Sequence, residues 1–356
     1  YKRQVTESGL TIKDLENSDL TYEKKHELNI GADLGFLDNR INLTVDWYKR
    51  DNFDLIGRVM TQGIGGQIQK YGNVATMKSR GIEFSLSTKN IKTKDFSWTT
   101  DFIYSHMKNE VTKFNTSTRA FNLVSGIGFS REGYPVNSLF SYDFRGLNED
   151  GVPTFINEAG VLTSTDINFQ ETERFDNLVY SGPSEPTDVG SFGNIFQYKG
   201  LRLNVFITYS FGNVVRLDPV FSSIYNDLDA MPREFRNRWM TPGDERYTDV
   251  PAIVSSRQVR NDSKLSYAYN AYNYSTARIA KGDFIRMKEI SLTYDFPKRW
   301  IKKLRMSNLA LKIQATNLFL IYADKKLNGQ DPEFFNSGGV ATPVPKQFTL
   351  TLKIGL

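Results

Sequence analysis

The chain has 356 residues, with 45 Lys and Arg against 40 Asp and Glu. The net charge of +5 is spread along the sequence rather than gathered into a basic tract, which gives nucleic-acid binding little support, and the absence of cysteine excludes disulfides, thiolate metal sites and cysteine nucleophiles. Mean hydropathy is −0.44, and no stretch reaches the roughly 18–20 apolar residues of a spanning helix. A spanning strand, by contrast, needs only about 9–11 residues with every second one apolar.

Residues before Lys25 read as the interior of a polar loop. Period-2 alternation then predicts strands over Lys25–Phe36 and Arg40–Tyr48; in the second, Ile41, Leu43, Val45 and Trp47 alternate with Asn42, Thr44 and Asp46. The same pattern predicts Ser79–Lys89, Asp95–His106, Gly190–Lys199, Leu201–Phe211, Asp283–Phe296, Leu309–Thr316 and Phe348–Leu356, nine long strands in all. Successive strand side chains point to opposite faces, so each segment has one apolar and one polar face. Within Asp283–Phe296 the phase changes: Ile285 and Met287 are odd, whereas Ile290, Leu292 and Tyr294 are even. A β-bulge near Lys288 accounts for this. Two shorter strands, Leu139–Arg145 and Val152–Asn157, flank Asn148-Glu149-Asp150-Gly151. That segment lacks the ligand spacing and distal bidentate Glu of a calcium loop and is read as a turn with Gly151 at positive φ.

Short and long connections alternate. The short ones are Leu37–Asn39, Asn90–Lys94, Lys199–Gly200 and Pro297–Ser307; the long ones are Asn52–Lys78, Met107–Val189, Asn213–Lys281 and Ile321–Pro345. Outer-membrane barrels have short periplasmic turns and long extracellular loops, so the expected fold is all-β, a transmembrane antiparallel β-barrel. The alternative, a secreted β-sandwich glycan-binding module, would carry comparable loops at both ends. Bacterial barrels of this kind are closed and even-stranded, and an open edge in hydrocarbon costs several kcal/mol per unpaired backbone group as an order of magnitude. Residues 1–356 are therefore expected to be the C-terminal part of a larger wall, whose first strand pairs with something outside this sequence.

No catalytic residue, metal site or cofactor is expected, and the chain is not read as an enzyme. The two histidines, His26 and His106, have no evident partners at useful spacing. Ser105 adjoins His106, but strand neighbours point to opposite faces and cannot act as a nucleophile–base pair. Gly63–Gly66 has no strand–glycine–helix context and reads as a flexible loop, not a phosphate cradle. The loop aromatics Trp239, Tyr267, Tyr269, Tyr272 and Tyr274, beside Asn270 and Asn273, either stack on sugar rings or peptide side chains or pack the large loops together. Trp47, Tyr48, Trp98, Tyr104 and Tyr209, near strand ends, suit interface girdles. Arg202, Asn204, Lys312 and Gln314 lie on polar strand faces and are the candidate lumen-facing residues.

An ordered series of phrases resembles the C-terminal barrel region of the SusC/RagA family of TonB-dependent outer-membrane transporters. It runs through Asn17–Phe36, Asn39–Lys49 (NRINLTVDWYK), Gly72–Phe84 (GNVATMKSRGIEF), Ile91–Trp98, Gly133–Gly146 (GYPVNSLFSYDFRG) and Phe192–Phe211. It continues through Arg238–Ile253, Ala280–Pro297 (AKGDFIRMKEISLTYDFP), Ala315–Phe319 (ATNLF), Gly329–Glu333 (GQDPE) and Pro345–Leu356. The resemblance implies a 22-stranded barrel plugged by an N-terminal domain, both plug and first strands lying before Tyr1. It implies location in the outer membrane of a Gram-negative bacterium, surrounded by outer-membrane lipid. It also implies energy supplied through TonB, a SusD-like surface lipoprotein partner, and import of oligosaccharides or peptides. A SusC-like barrel used as a structural subunit of a larger surface complex is the alternative within the family. The chain ends in Leu356 where such barrels often end in an aromatic residue.

Overall fold

Strands whose side chains alternate must also pair their backbones, and here they do so in chain order. The computed structural model describes residues 16–60, 69–116, 118–126, 130–219, 233–303, 305–335 and 345–355; Gly63–Gly66 and Leu356 lie outside them. The chain opens with long strands β1 (Lys24–Phe36), β2 (Ile41–Met60), β3 (Gln69–Lys92) and β4 (Phe96–Phe114). A connection follows that holds helix α1 (Ala120–Ser125) and short strands β5 (Ser138–Tyr142), β6 (Phe144–Leu147), β7 (Pro153–Ile156), β8 (Leu162–Thr163) and β9 (Leu178–Pro183). Long strands β10 (Asp188–Tyr198) and β11 (Leu201–Phe211) precede a second connection with β12 (Val214–Arg216), α2 (Ser256–Asn261), α3 (Leu265–Asn273) and β13 (Ile279–Lys281). Strand β14 (Phe284–Asp295), helix α4 (Lys298–Lys303), β15 (Asn308–Ala323) and β16 (Gln347–Gly355) follow.

The nine long strands form one antiparallel sheet in the order β1-β2-β3-β4-β10-β11-β14-β15-β16. They do not divide into two packed sheets, which overturns the sandwich alternative. Each short joint lies at one end of the sheet and each elaborated connection at the other. Among the described residues no helix is long and apolar enough to cross a membrane. Strands β1 and β16 each leave one edge unpaired, and both carry exposed apolar side chains, among them Leu28, Ile30 and Leu34 on β1 and Phe348, Leu350 and Leu352 on β16.

Register shows how the alternation becomes two faces. One row across six neighbouring strands reads Trp98–Phe196–Leu203–Leu292–Ile313–Leu350. Another, one residue along and on the opposite face, reads Ser97–Gln197–Arg202–Thr293–Lys312–Thr351. The phase change in β14 is the bulge expected from sequence: Ile207 pairs with Met287 and Phe206 with Glu289, so Lys288 is the extra residue on that side, and it is passed over again between Phe319 and Thr316. Without it, Ile285 and Met287 would face the polar side.

Four strands are longer than the alternation indicates. Most of the segment expected as the Asn52–Lys78 loop is strand, with β2 running to Met60 and β3 starting at Gln69; β4 reaches Phe114 and β15 reaches Ala323. Past Trp47 the outward positions become Lys49 and Asp51, so neither face is apolar and the periodic signal vanishes while the hydrogen-bonded ladder continues. Tyr48 also departs from expectation. It lies on the polar face, 4% exposed, beneath the Arg50 guanidinium 4.0 Å from its ring, and so is not part of a girdle.

Deleting Lys288 from the full-length protein is expected to abolish the compact, heat-modifiable form on gels, because it turns Arg286 to the apolar face and Ile285 and Met287 to the polar one. Lys288→Ala, which keeps the count of residues, should leave that form intact; equal behaviour of the two variants would refute the bulge's role in register.

Candidate functional site

The elaborated connections interlock into one body at a single end of the sheet. Its largest core gathers Leu123 and Val124 of α1, Phe140 and Tyr142 of β5, Phe155 of β7 and Tyr272 of α3. Backbone bonds stitch the two larger connections together: Tyr142 N donates to the carbonyl of Tyr274 (3.1 Å), and Tyr142 bridges Ser275. Arg216 of β12 is half-buried and donates from Nη2 to the carbonyl of Phe140 (2.7 Å), with the Tyr274 ring 5.5 Å from its guanidinium. Burial lowers its pKa to about 10, leaving it charged at neutral pH. The turn expected at Asn148–Gly151 is present between β6 and β7. Asn148 Oδ1 accepts from the N–H groups of Asp150 (3.0 Å) and Val152 (2.8 Å), and Gly151 has φ 72°. A second such turn follows at Asn157–Gly160, where Asn157 Oδ1 accepts from Ala159 and Val161.

This body leans over the polar face. Val136 N donates to Oδ1 of Asn109 (2.8 Å), and Asn109 is paired with Ser79 on that face of β4 and β3. A hollow of about 340 Å³ lies there, with Lys25, Arg50, Asn109 and Glu185 in its lining. The third connection is latched to the wall by Arg286 of β14, a buried side chain that pairs with Asp331 and, at 3.2 Å, with Glu333. Asp331 also accepts from the N–H of Glu333 (3.1 Å), so the GQDPE phrase folds as a capped turn held to the wall.

The five loop aromatics separate by burial. Tyr269 and Tyr272 are 1% and 2% exposed, and the Tyr269 hydroxyl donates to the carbonyl of Ala252 (2.8 Å). Burial raises the Tyr272 hydroxyl to about 12. Both serve packing and are closed to a ligand. Tyr267 is 48% exposed and borders a hollow of about 420 Å³ with Asp166, Asn168, Gln170 and Lys264. The helix explains the split: Leu265, Ala268, Tyr269 and Tyr272 follow i, i+3, i+4, i+7 spacing and share the buried face, while Tyr267 points away. Tyr274 is half-buried, its ring edge-on to Phe121 at 5.7 Å. Trp239 is half-buried too, its indole N–H donating to Glu245 Oε2 (3.1 Å) and its ring lying against Gly151, where a Cβ would come within 2.4 Å.

The polar-face residues behave as one wall. Asn204 Nδ2 donates to Glu289 Oε1 (3.2 Å), the same oxygen that Lys312 approaches at 3.9 Å, while Gln314 lies in one row with Asn204 and Ser291, and Arg202 in one row with Lys312. One cluster was not visible in sequence. His106 does have a partner, Asp188 Oδ1 at 2.9 Å, and Tyr104 donates to that same oxygen at 2.6 Å. Asp188 stands 82 positions away and meets His106 only through the pairing of β4 with β10. Ser105 points to the other face, as strand geometry requires. No cluster of three or more His or carboxylate groups able to hold a metal ion occurs among the described residues.

A wall with one apolar and one polar face, short turns at one end and an interlocked loop body at the other, defines a β-barrel wall of the outer-membrane type. The family model described as TonB dependent receptor-like, beta-barrel matches residues 6–318, and the chain belongs to that family. It is 26% identical over 344 residues to TonB-dependent receptor P3 of Formosa agariphila, covering 92% of this chain and 32% of that protein. To TonB-dependent receptor SusC of Bacteroides thetaiotaomicron it is 27% identical over 357 residues, covering 96% and 32%. Its fold is similar to the solved structure of the RagAB peptide transporter, with a TM-score of 0.76 at 24% identity, over 100% of this chain and 38% of that one. The chain spans about a third of the length of the curated relatives it matches. SusC- and RagA-type relatives are those the sequence phrases pointed to.

Two predictions follow from the loop body. Tyr269→Ala and Tyr272→Ala should each destabilise it by about 3–5 kcal/mol, as for other large buried side chains, whereas Tyr267→Ala should fall within about 0.5 kcal/mol. Limited proteolysis of the loops against denaturant reads the difference, and equal effects would contradict the burial assignment. The Trp239 segment should loosen in acid. Hydrogen bonds from Thr241 and Met240 N–H groups hold Asp244 below its ordinary 3.8, and those from its own N–H and the Trp239 indole hold Glu245 below 4.5. Because both folded pKa values are depressed, their stabilisation is complete above the ordinary values and is lost as pH falls through the depressed ones. Fluorine NMR of labelled Trp239 should shift only in that range, and a transition near neutrality would contradict it.

Proposed function

We propose that this chain forms part of an outer-membrane barrel that actively imports oligosaccharides or peptides, energised through TonB and working with a SusD-like surface lipoprotein. The observation that carries this reading is the polar wall continuous across neighbouring strands, combined with an elaborate loop body at one end only. Membership of the TonB-dependent receptor family supports the energy source, and the RagAB relative, a peptide transporter by name, supports the cargo class. On this reading the loop end is extracellular. Strands outside this sequence pair with β1 and β16 and close the wall toward about 22 strands, and a plug fills its lumen. Edges left open in hydrocarbon are too costly to persist.

The loop body and the lipoprotein hold the substrate first, with Tyr267 and the polar groups beside it as the exposed candidate contacts; Trp239 and Tyr274 shape that surface from half-buried positions. TonB then pulls on the plug, and substrate passes along the polar face, where Arg202, Asn204, Lys312 and Gln314 line the lumen. No covalent bond is made or broken, so no catalytic residue is required.

Two measurements test this. Cells that depend on the full-length protein for uptake should lose it when the proton-motive force is collapsed, and undiminished uptake would refute energised import. Residues 1–356 hold no cysteine, so in the full-length protein, with any cysteine elsewhere replaced, single cysteines report accessibility cleanly: Arg202→Cys and Gln314→Cys should react with a membrane-impermeant thiol reagent, while Leu203→Cys and Ile313→Cys should not. The reverse pattern would invert the assignment of the faces.

A further inference from the structure

The outward, apolar face carries at its upper boundary a row of cations that joins no ion pair among the described residues. Lys49 of β2 pairs in register with Arg80 of β3, and Arg80 with Lys108 of β4. All three side chains are exposed. Directly opposite like charges destabilise a sheet, yet this line holds three in succession. None of the ion pairs among the described residues includes Lys49, Lys78, Arg80 or Lys108, whereas two nearby polar-face cations, Arg50 and Lys25, do find a partner. Arg50 meets Glu27 at 2.9 Å, and Lys25 meets the same carboxylate at 2.6 Å.

What lies above and below the row indicates its occupant. The row beneath, on the same face, is Ile30–Trp47–Ile82–His106, with His106 and its partner Asp188 at its far end. The row above is His26–Asp51–Lys78–Glu110, of mixed charge. The order away from the short-turn end is therefore apolar, then cationic, then mixed. That is the order of acyl chain, phosphate and hydrated headgroup in an anionic lipid, and long basic side chains at such a boundary extend along apolar surface toward the headgroup level. A hollow of about 370 Å³ spans the three rows, lined by Trp47, Lys49, Lys78, Arg80, Lys108 and Glu110.

We propose that Lys49, Arg80 and Lys108, assisted by Lys78, bind the phosphate of an anionic lipid of the outer leaflet against the barrel's outer surface. The choice of leaflet rests on the reading that the loop end is extracellular. The chemistry of the site does not depend on transport.

The test uses the full-length protein, purified in uncharged detergent, with lipid A and enzymatically dephosphorylated lipid A as probes and native mass spectrometry as the readout. Lipid A should bind, and the triple variant K49Q/R80Q/K108Q should bind it roughly 100-fold more weakly at low salt, at about one surface-cation contribution per residue removed. The wild type should prefer the phosphorylated probe by a similar factor and lose that preference at high salt. Lys94→Gln, at a short turn, should behave as wild type. The conservative variant K49R/K108R should retain binding, which separates a lost site from a misfolded wall. Unchanged binding in the triple variant, equal binding of the two probes, or displacement by inorganic phosphate alone would overturn the proposal. Cross-linking of Arg80→Cys to a second copy or another protein in intact membranes would also overturn it, reassigning the row to a protein interface. Binding is read without any uptake step, so failure of import bears only on the transport reading.

Discussion

Everything in this protein depends on backbone pairing in an unbroken antiparallel meander. A strand in hydrocarbon has no water to satisfy its N–H and C=O groups, so each must find a partner on the next strand. Pairing in chain order meets that demand with the shortest possible connections at one end. It also forces every side chain to a definite face, because register and alternation together leave no freedom. The cost of a misplaced residue is consequently high, and the phase change within β14, at Lys288, is handled by a bulge that both neighbouring strands respect.

The loop body obeys a different physics. It packs a conventional apolar core, and it is held together by side-chain hydrogen bonds and ion pairs rather than by a ladder. Arginines act as its fasteners. Arg216 reaches the carbonyl of Phe140 across two connections, Arg278 pairs with Glu234, and Arg286 joins the Asp331 turn to the wall. A planar guanidinium with several donors suits such cross-links, and removing one partner of a buried pair leaves a charge uncompensated. A rigid wall thereby carries a shaped surface at its mouth.

The two faces of the sheet also differ in how charge is managed. On the polar face cations meet carboxylates, as Arg50 meets Glu27 and Lys312 approaches Glu289. On the apolar face Lys49, Arg80 and Lys108 stand in a row at the band's edge that joins no ion pair among the described residues. The contrast makes sense if each face has its own solvent: water and polar cargo on one side, lipid with its ordered headgroups on the other.

Much of the wall was legible in sequence, for a definite reason. Period-2 alternation is a local property, and one apolar face is enough to reveal it, so nine strands, the end of the sheet at which each joint lies and the bulge at Lys288 could all be read directly, whereas the length of the β2–β3 joint could not. The extensions of β2, β3, β4 and β15 could not, because the alternation breaks down there (polar on both faces around Asp51 of β2, apolar on both around Phe319 and Leu320 of β15) and only hydrogen bonds to a neighbour define them. The split among the aromatics depends on α3, and the spacing of Leu265, Ala268, Tyr269 and Tyr272 carries its signal inside a segment otherwise rich in loop residues. The meeting of His106 with Asp188, the clasp of Arg286 on Asp331 and the alignment of Lys49, Arg80 and Lys108 were decided by tertiary structure alone. Each joins residues on different strands or loops, and which ones face one another is set by register across the sheet, a relation that no local pattern contains.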